Sequence, residues 1–402
     1  MKFYYKEDIY KNINNRKVVL FGSGNIAEKT YRILNCNVHA IADNSKNLWG
    51  TTDLNFKIIN PKELDNNYKK YFIIICTTSY SEVIYQLKKY KYKDNRDFVI
   101  SPILNDLRII DEFENYERKI IFTSGSPPNS SKEYGGGIYE IQWKKDIWKN
   151  EKKISGNCYG LIKFKKNYIA IDSDLGIFEF NSKYKILRSQ KLPKSSRSHG
   201  LSYSSKRKEF YVVCSYMDAI LILNENFKIK SKISISNKFK YNKSASHHCN
   251  DCEYSNNHLY VSMFSETGNW KKDVYDGCIL EIDLIKKKIN QSICQNLWMP
   301  HNPKIINGSF YVNDSLRGNL LGNNFNVCGS FPAFTRGLDY DGNFFYIGQS
   351  KNRNFSKNIG LSNNISIDAG ITVFDEKTKI SKFLQVSPRI SEIHSIITEN
   401  IK

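Results

Sequence analysis

Histidines recur ahead of short β-rich runs in the second half of the sequence. The densest stretch is Ser246-His247-His248-Cys249-Asn250-Asp251, and His199, His301 and His394 stand in weaker copies of it. Imidazoles that converge on one point are common ligands of transition metals, and a positioned imidazole is the commonest general base. The residue types therefore predict one His-based site, provided that the fold brings these positions together.

The recurring segments form one repeated structural unit. Each polar residue precedes an apolar run, such as residues 210–213 or 259–262, and a further run follows in several copies, such as residues 219–224. Short strands and turns repeating every ~35–60 residues are typical of β-propeller blades. Six positions are predicted to be equivalent: Tyr159, His199, His248 (or His247), His301, Arg336 and His394.

The sixth unit has only one strand after His394. We therefore expect its outer strands to come from residues 119–143, at the other end of the same domain. Closing the ring with both ends of a domain is how propellers avoid two open sheet edges.

The innermost strand of each blade lines the propeller axis, so the six positions should meet there. We predict a divalent transition metal (Mn, Fe or Zn) held by His199, His248, His301 and His394. Catalytic roles are predicted for His248, Tyr159, Arg336, Arg317 and Asp251. The alternative is that the histidines only bind water and keep the blades in register.

The first hundred residues follow a different pattern, because an apolar strand at 17–21 runs directly into Gly22-Ser23-Gly24-Asn25-Ile26-Ala27 and a helical stretch. This glycine pattern between strand and helix is typical of a phosphate-binding loop. A nucleotide or nucleotide-sugar is predicted to bind there, at Gly22, Gly24, Asn25, Asp43, Thr77 and Thr78. The alternative is a domain that keeps the fold without a ligand.

These patterns predict an α/β plus all-β protein. We expect a small Rossmann-like parallel α/β domain at 1–105, a charged linker at 106–118, and a six-bladed β-propeller at 119–402.

The formal net charge is +20, yet lysines are spread over nearly every turn and no basic recognition segment stands out, so we expect no nucleic-acid partner. No apolar run reaches the ~20 residues that span a bilayer, and the N-terminal residues do not resemble a signal peptide. Nine cysteines without framework spacing fit free thiols. A cytoplasmic protein is predicted, and the oligomeric state is left open.

Two resemblances accompany these patterns. Residues 18–25, 43–45 and 58–64 resemble the small N-terminal nucleotide-sugar-binding domains of bacterial sugar acyltransferases and glycan-cluster enzymes, although the hexapeptide repeats of the acyltransferases are absent. Residues 247–251, 299–303, 314–318, 336–338 and 347–350 resemble motifs of an uncharacterised bacterial propeller family. The second resemblance implies a fold and no reaction.

Together these features predict an enzyme of cell-surface polysaccharide or sugar-nucleotide metabolism that acts on an anionic sugar. The expected reaction is metal-dependent epimerisation or elimination, with Trp143, Trp148, Trp270 and Trp298 as candidate sugar-stacking surfaces. The alternative is a non-catalytic propeller that binds a glycan or a protein, joined to a vestigial or regulatory first domain.

Overall fold

The structure is a computed structural model that describes residues 5–126, 134–238, 245–351 and 365–401. Contacts within the chain divide it into two compact units, Met1–Glu114 and Asn115–Lys402. Each unit has its own sheets and its own apolar clusters.

The first unit alternates strands and helices. Its elements are α1 (Lys6–Ile13), β1 (Lys17–Phe21), α2 (Asn25–Leu34), β2 (Val38–Ala42), β3 (Thr52–Asp53), β4 (Phe56–Ile59), β5 (Tyr71–Ile75), α3 (Tyr80–Lys89), β6 (Phe98–Ile100) and α4 (Asn105–Asn115). Short 3-10 turns lie at Lys46–Leu48, Pro61–Leu64 and Pro102–Leu104.

Six strands of this unit form one mixed sheet in the order β3-β4-β2-β1-β5-β6. The neighbours from β4 to β6 are parallel, and only the β3–β4 hairpin is antiparallel. Val19 and Phe21 pack into an apolar cluster on one face, whereas Val18 and Leu20 pack into another on the opposite face. Burial on both faces explains why β1 is a continuous apolar run rather than an alternating one.

The predicted linker at 106–118 is regular structure. Helix α4 covers most of it, and the first propeller strand begins at Glu117. Four residues of α4, among them Ile109 and Phe113, are buried, so the helix packs rather than standing free.

The second unit is a six-bladed β-propeller, in which the described residues form six four-stranded sheets. The blades are listed from the inner to the outer strand. Blade 6 supplies β7 (Glu117–Ser124), β8 (Gly137–Lys144) and β9 (Ile147–Ser155); blade 1 is β10 (Cys158–Phe164), β11 (Asn167–Asp172), β12 (Gly176–Phe180) and β13 (Ile186–Gln190); blade 2 is β14 (Ser198–Ser204), β15 (Glu209–Cys214), β16 (Ala219–Asn224) and β17 (Ile229–Ser234); blade 3 is β18 (Cys249–Ser255), β19 (His258–Met263), β20 (Gly277–Asp283) and β21 (Lys288–Leu297); blade 4 is β22 (His301–Ile306), β23 (Ser309–Asp314), β24 (Asn319–Leu321) and β25 (Val327–Ser330); blade 5 is β26 (Phe334–Tyr340), β27 (Phe345–Ser350), β28 (Gly370–Phe374) and β29 (Ser381–Gln385); and β30 (Ile396–Glu399) completes blade 6. Short 3-10 turns lie at Trp270–Lys272, Ser315–Arg317 and Asn323–Phe325.

Blade 6 joins the two ends of the unit. Strand β30 pairs with β7, with Ile396 opposite Phe122, so the C-terminal strand is innermost and the three outer strands precede blade 1. This is the predicted ring closure, although the outermost strand β9 lies beyond the expected segment 119–143.

Candidate functional site

A cavity of about 520 Å³ lies beside the first residues of the inner strands of the propeller. Its described lining includes Tyr159, Arg197, His199, His248, Phe264, Trp270, Phe334, Arg336, Lys351, Glu392 and His394. The fold therefore brings together five of the predicted site residues: Tyr159, His199, His248, Arg336 and His394.

Inner strands of blades 1 to 5 share one irregularity that defines which positions are equivalent. In each strand, two residues stand opposite one on the neighbouring strand, for example 159 and 160 opposite 171. The same bulge occurs in β14, β18, β22 and β26. The register aligns these residues: Tyr159, His199, Asn250, Asn302 and Arg336.

This register corrects the predicted alignment in two blades. His248 lies two residues before the equivalent position, and His301 lies one residue before it. The sequence spacing missed the shift because both blades place an asparagine where the others have an aromatic, imidazole or guanidinium side chain. Asn250 and Asn302 were not predicted, because the bulge that aligns them appears only in the strand register and not in the residue types.

His301 belongs to the propeller core and not to the cavity wall. Its Nε2 lies 2.7 Å from the Asn250 amide nitrogen, and its Nδ1 lies 2.8 Å from Ser315 Oγ and 2.9 Å from the Met299 carbonyl oxygen. If the amide NH₂ donates to Nε2, the hydrogen of the ring is on Nδ1. This arrangement leaves neither ring nitrogen for a metal ion, in contrast to the predicted ligand set.

His199 lies at the centre of the group. Its ring stacks on Tyr159 at 4.3 Å between centroids and meets His394 and His248 edge-on at 5.8 and 6.0 Å. It is buried, and neither ring nitrogen has a hydrogen-bond partner among the described residues. Burial, followed by the nearby imidazoles and arginines, lowers the pKa of His199 well below its usual range. The ring is therefore neutral at neutral pH.

His248 is held in an aromatic surround. Its ring stacks on Phe264 at 4.4 Å and lies 4.8 Å from Trp270, while its backbone N–H donates to Asp218. Burial, with a smaller contribution from nearby cations, lowers the pKa of His248 to about 3. Nδ1 has no partner within the described part of the chain. This second imidazole is also neutral, and its ring is fixed in place.

His394 makes two alternative hydrogen bonds through one atom. Its Nε2 lies 2.9 Å from Glu392 Oε2 and 3.4 Å from an Arg336 guanidinium nitrogen. Nε2 donates to the carboxylate only when it carries a hydrogen, and accepts from the guanidinium only when it does not. Nε2 therefore has a hydrogen-bond partner in both protonation states, the Glu392 carboxylate when it is protonated and the Arg336 guanidinium when it is not. That is the requirement for a group that takes up and releases a proton.

The cavity carries more positive than negative charge. Of its described lining residues, Arg197, Arg336 and Lys351 are cationic, and Glu392 is the acidic one. Arg336 also lies 3.6 Å from Glu392 and packs against the ring of Phe334. A net positive charge among the lining residues of a concave site favours an anionic ligand.

Burial raises the pKa of Tyr159, with the nearby Arg197 opposing the effect. Its hydroxyl is therefore protonated at neutral pH and can donate a hydrogen bond or a proton. The ring lies 4.8 Å from that of His394, edge to face.

Two predicted catalytic residues lie elsewhere in the propeller. Arg317 donates to Asp314 and to the Asn296 carbonyl oxygen in a separate surface pocket. Asp251 accepts from the Asn302 N–H and lines a small cavity that the His residues do not share. The burial of Asp251 raises its pKa to about 6. Neither residue is placed to act on a molecule in the larger cavity.

Trp270 is the one predicted tryptophan that lines the cavity. Trp143 is fully buried, which corrects its prediction as an exposed stacking surface. Trp148 lies in β9 and donates to the Gln385 carbonyl oxygen, and Trp298 packs against Tyr275 and Arg317.

Three of the four predicted metal ligands, His199, His248 and His394, line the cavity, and His301 does not. Among the residues that the structure describes, no group of three or more His, Cys, Asp or Glu side chains has an arrangement that could hold a metal ion. The guanidinium of Arg336 lies 3.4 Å from His394 Nε2 and would repel a cation bound to that nitrogen. The divalent metal stays a prediction.

The glycine loop of the first unit has the predicted backbone shape. Gly22 has φ +104°, and a side chain there would come 3.0 Å from the Cys76 carbonyl oxygen, so only glycine fits. Gly24 has φ +97° and open space around it, and Asn25 begins α2. Thr77 lies next to Gly22, where its hydroxyl accepts from the Ser79 N–H, and Thr78 is exposed.

Acidic side chains of the same unit already occupy the amides of this loop. Asp43 accepts from the Ser23 N–H and hydroxyl, and Asp53 accepts from the Gly24 N–H. Burial of Asp43 opposes its ionisation, but hydrogen bonds from Ser45 and Ser23 outweigh this and lower its pKa. Two carboxylates stand where a phosphate would accept those hydrogen bonds.

The fold and the cavity define the second unit as a six-bladed propeller with a ligand-sized, positively charged cavity beside its inner strands. Residues 152–399 match the family described as "Domain of unknown function (DUF4915)", and because this is more than half of the chain, the chain belongs to that family. Residues 14–98 match the model described as "C2185-like, N-terminal". No curated protein matches the sequence.

Solved structures of low sequence identity resemble the chain. A chain of a nidogen/laminin complex has 10% identity and a TM-score of 0.49 over 70% of this chain and 98% of that one. A Bacteroides caccae protein of unknown function has 12% identity and a TM-score of 0.48 over 70% and 99%. Virginiamycin B lyase from Staphylococcus aureus has 11% identity and a TM-score of 0.41 over 60% and 73%. None of these similarities carries a functional argument.

No helix in the described part of the chain is both long and apolar enough to cross a membrane.

Proposed function

We propose that the propeller cavity binds an anionic small molecule and transfers a proton on it. The observation that carries this proposal is the composition of the wall, in which three cationic side chains and one carboxylate surround a group of neutral imidazoles. The volume of about 520 Å³ suits a monosaccharide acid or a molecule of similar size.

Arg336 is the proposed anchor for the anion. Its side chain is mostly buried and lies between Phe334, Glu392 and His394. A guanidinium pairs with a carboxylate or phosphate through two parallel hydrogen bonds, which fixes orientation as well as charge. A carboxylate bound there would bring the neighbouring carbon close to the His394 ring.

His394 is the proposed base, and Glu392 stabilises its protonated form. The C–H bond next to the carboxylate breaks, the proton moves to Nε2, and the electron pair delocalises into the carboxylate, where Arg336 offsets the charge. Return of a proton from solvent on the opposite face gives epimerisation, and His394 then releases its proton to solvent. Expulsion of an oxygen substituent from the next carbon gives elimination, and the Tyr159 hydroxyl supplies the proton to the leaving oxygen.

Hydrogen exchange in D₂O tests the proton transfer. Wild-type protein should exchange the C5 hydrogen of at least one hexuronate in a panel followed by ¹H NMR, and His394→Asn should slow exchange by about 10²- to 10⁴-fold. His258→Asn, a change outside the cavity, is the matched control. If wild type and His394→Asn exchange equally, the assignment of the base is wrong.

Non-catalytic binding of the same anion is the second candidate. Phe264, Trp270 and Phe334 form an aromatic wall that suits stacking against a sugar or another flat face. Tight binding without any exchange in D₂O would favour this function. The assignment to cell-surface polysaccharide metabolism rests on the sequence resemblance alone.

For the first unit we propose a Rossmann-like domain with a regulatory or vestigial role. The parallel order β4-β2-β1-β5-β6 and the glycine loop after β1 support the fold. Binding of a nucleotide or nucleotide-sugar would require Asp53 and Asp43 to give up their hydrogen bonds to the loop. The role without a nucleotide needs no such rearrangement.

A further inference from the structure

Two buried imidazoles of the cavity wall have unused hydrogen-bonding capacity. His199 is 4% exposed and neither of its nitrogens has a partner among the described residues; His248 is 6% exposed and its Nδ1 has none. Buried polar atoms are almost always hydrogen-bonded in folded proteins, so exceptions at a cavity wall point to a partner that comes from outside the chain.

The protonation state of these rings limits the chemistry of that partner. Both rings are neutral at neutral pH because burial and nearby cations disfavour the imidazolium. A neutral imidazole offers one N–H donor and one lone-pair acceptor. A carboxylate or phosphate only accepts and would satisfy one of the two open nitrogens of His199, whereas hydroxyl groups both donate and accept.

A cation is the other partner that two neutral imidazoles could share. Arg336 and Arg197 lie near enough to lower the pKa of both histidines, so a cation placed there would be repelled by the same charges. The described residues also offer no group of three donors for a metal ion.

The rings are held where a ligand would meet them. His199 is stacked on Tyr159, and His248 is stacked on Phe264 with Trp270 beside it. Donors and acceptors that do not need to reorganise give more affinity and more selectivity than mobile ones.

We infer that His199 and His248 form a subsite for hydroxyl groups, so that the ligand of the cavity is a polyhydroxylated acid, such as a sugar acid, and not a simple carboxylate. This inference rests on the proposed binding of an anion in the same cavity. It assigns each part of the cavity wall to a different group of the ligand: Arg336 binds the acidic group, and the two imidazoles bind neighbouring hydroxyls.

Calorimetric titration with two kinds of acid tests whether His199 and His248 bind hydroxyl groups. The first kind is a panel of hexuronates, and the second is cyclohexanecarboxylate, which keeps the six-membered ring and the carboxylate but has no hydroxyls. Wild type should bind the best hexuronate at least ten-fold more tightly than cyclohexanecarboxylate, since each satisfied buried polar group contributes to discrimination.

His199→Phe and His248→Phe keep the ring stacking and remove the polar atoms. Each should weaken hexuronate binding about ten-fold or more and leave the affinity for cyclohexanecarboxylate unchanged. His247→Phe is the matched control, because His247 is buried in the same segment but does not line the cavity. Circular dichroism confirms that each variant is folded, and His199→Asn provides a second variant if the phenylalanine form is not.

The outcomes separate the two proposals. Equal binding of both acids, with no effect of either histidine variant, overturns the hydroxyl subsite and leaves the anion site standing. Failure of wild type to bind either acid overturns both. Tight binding of MnCl₂ or ZnCl₂ alone that His199→Phe abolishes would replace the hydroxyl subsite by a metal site.

Discussion

The propeller cavity and the glycine loop of the first unit differ in whether their polar groups already have hydrogen-bond partners. In the cavity, His199 and His248 are buried and keep polar atoms without partners among the described residues. In the loop, the N–H groups of Ser23 and Gly24 are already accepted by Asp43 and Asp53. Both regions have the residue types of a ligand site, but only the first leaves those groups available for a ligand.

The comparison shows what a motif does and does not establish. Gly22 and Gly24 give the loop its backbone shape, and that shape serves the turn from strand to helix whether or not a phosphate binds. Unsatisfied buried groups cost free energy in the folded protein, so their retention is the stronger indication of a function.

Acidification should lower the free energy of unfolding, because His248 is held neutral in the folded protein. Folded His248 binds a proton only near pH 3, whereas the unfolded chain binds one near its ordinary pKa of about 6.5. Its contribution to stability is therefore complete above pH 6.5 and falls as the pH drops toward 3. Between pH 7.5 and pH 5 the loss amounts to about 2 kcal/mol for this one residue.

Urea unfolding of wild type and His248→Phe at the two pH values measures that loss. The difference in unfolding free energy between them should shift by about 2 kcal/mol in favour of the variant at pH 5. An unchanged difference would mean that His248 is not held neutral in the folded protein.

For the glycine loop, whose amides already have acceptors, we predict a smaller effect of added ligand on stability. Wild type should show no thermal shift with UDP-, GDP- or CDP-sugars, because Asp43 and Asp53 occupy the amides. Asp53→Asn removes one charge from the loop and should allow at most a weak stabilisation, about 1 kcal/mol at saturating ligand. A clear shift in wild type that Gly24→Val abolishes would confirm the nucleotide-sugar prediction.

The fold could be predicted wherever apolar runs were continuous. Strands β1 and β16 have the predicted bounds, and the ring closure follows from counting strands in the repeat. The outer strands such as β13 and β17 were missed because they are mostly exposed and carry no apolar pattern. Strand β24 has three residues, too few to show a periodicity.

The site could be predicted only in part, because its details depend on register and rotamer. Repeat counting found Tyr159, His199, Arg336 and His394, all of which line the cavity. It missed Glu392, two residues before His394, and Lys351, whose positions follow no repeat. The bulge that makes Asn250 and Asn302 the true equivalents has no signature in residue type.

Binding of a hexuronate and of its uncharged amide by wild type and Arg336→Gln tests the central claim most directly. The acid should bind at least ten-fold more tightly than the amide to wild type, and the preference should disappear in Arg336→Gln but persist in Arg317→Gln, since Arg317 lies in a separate pocket. Equal affinities for acid and amide in wild type, or a preference that survives Arg336→Gln, would contradict the proposal that this cavity is an anion site.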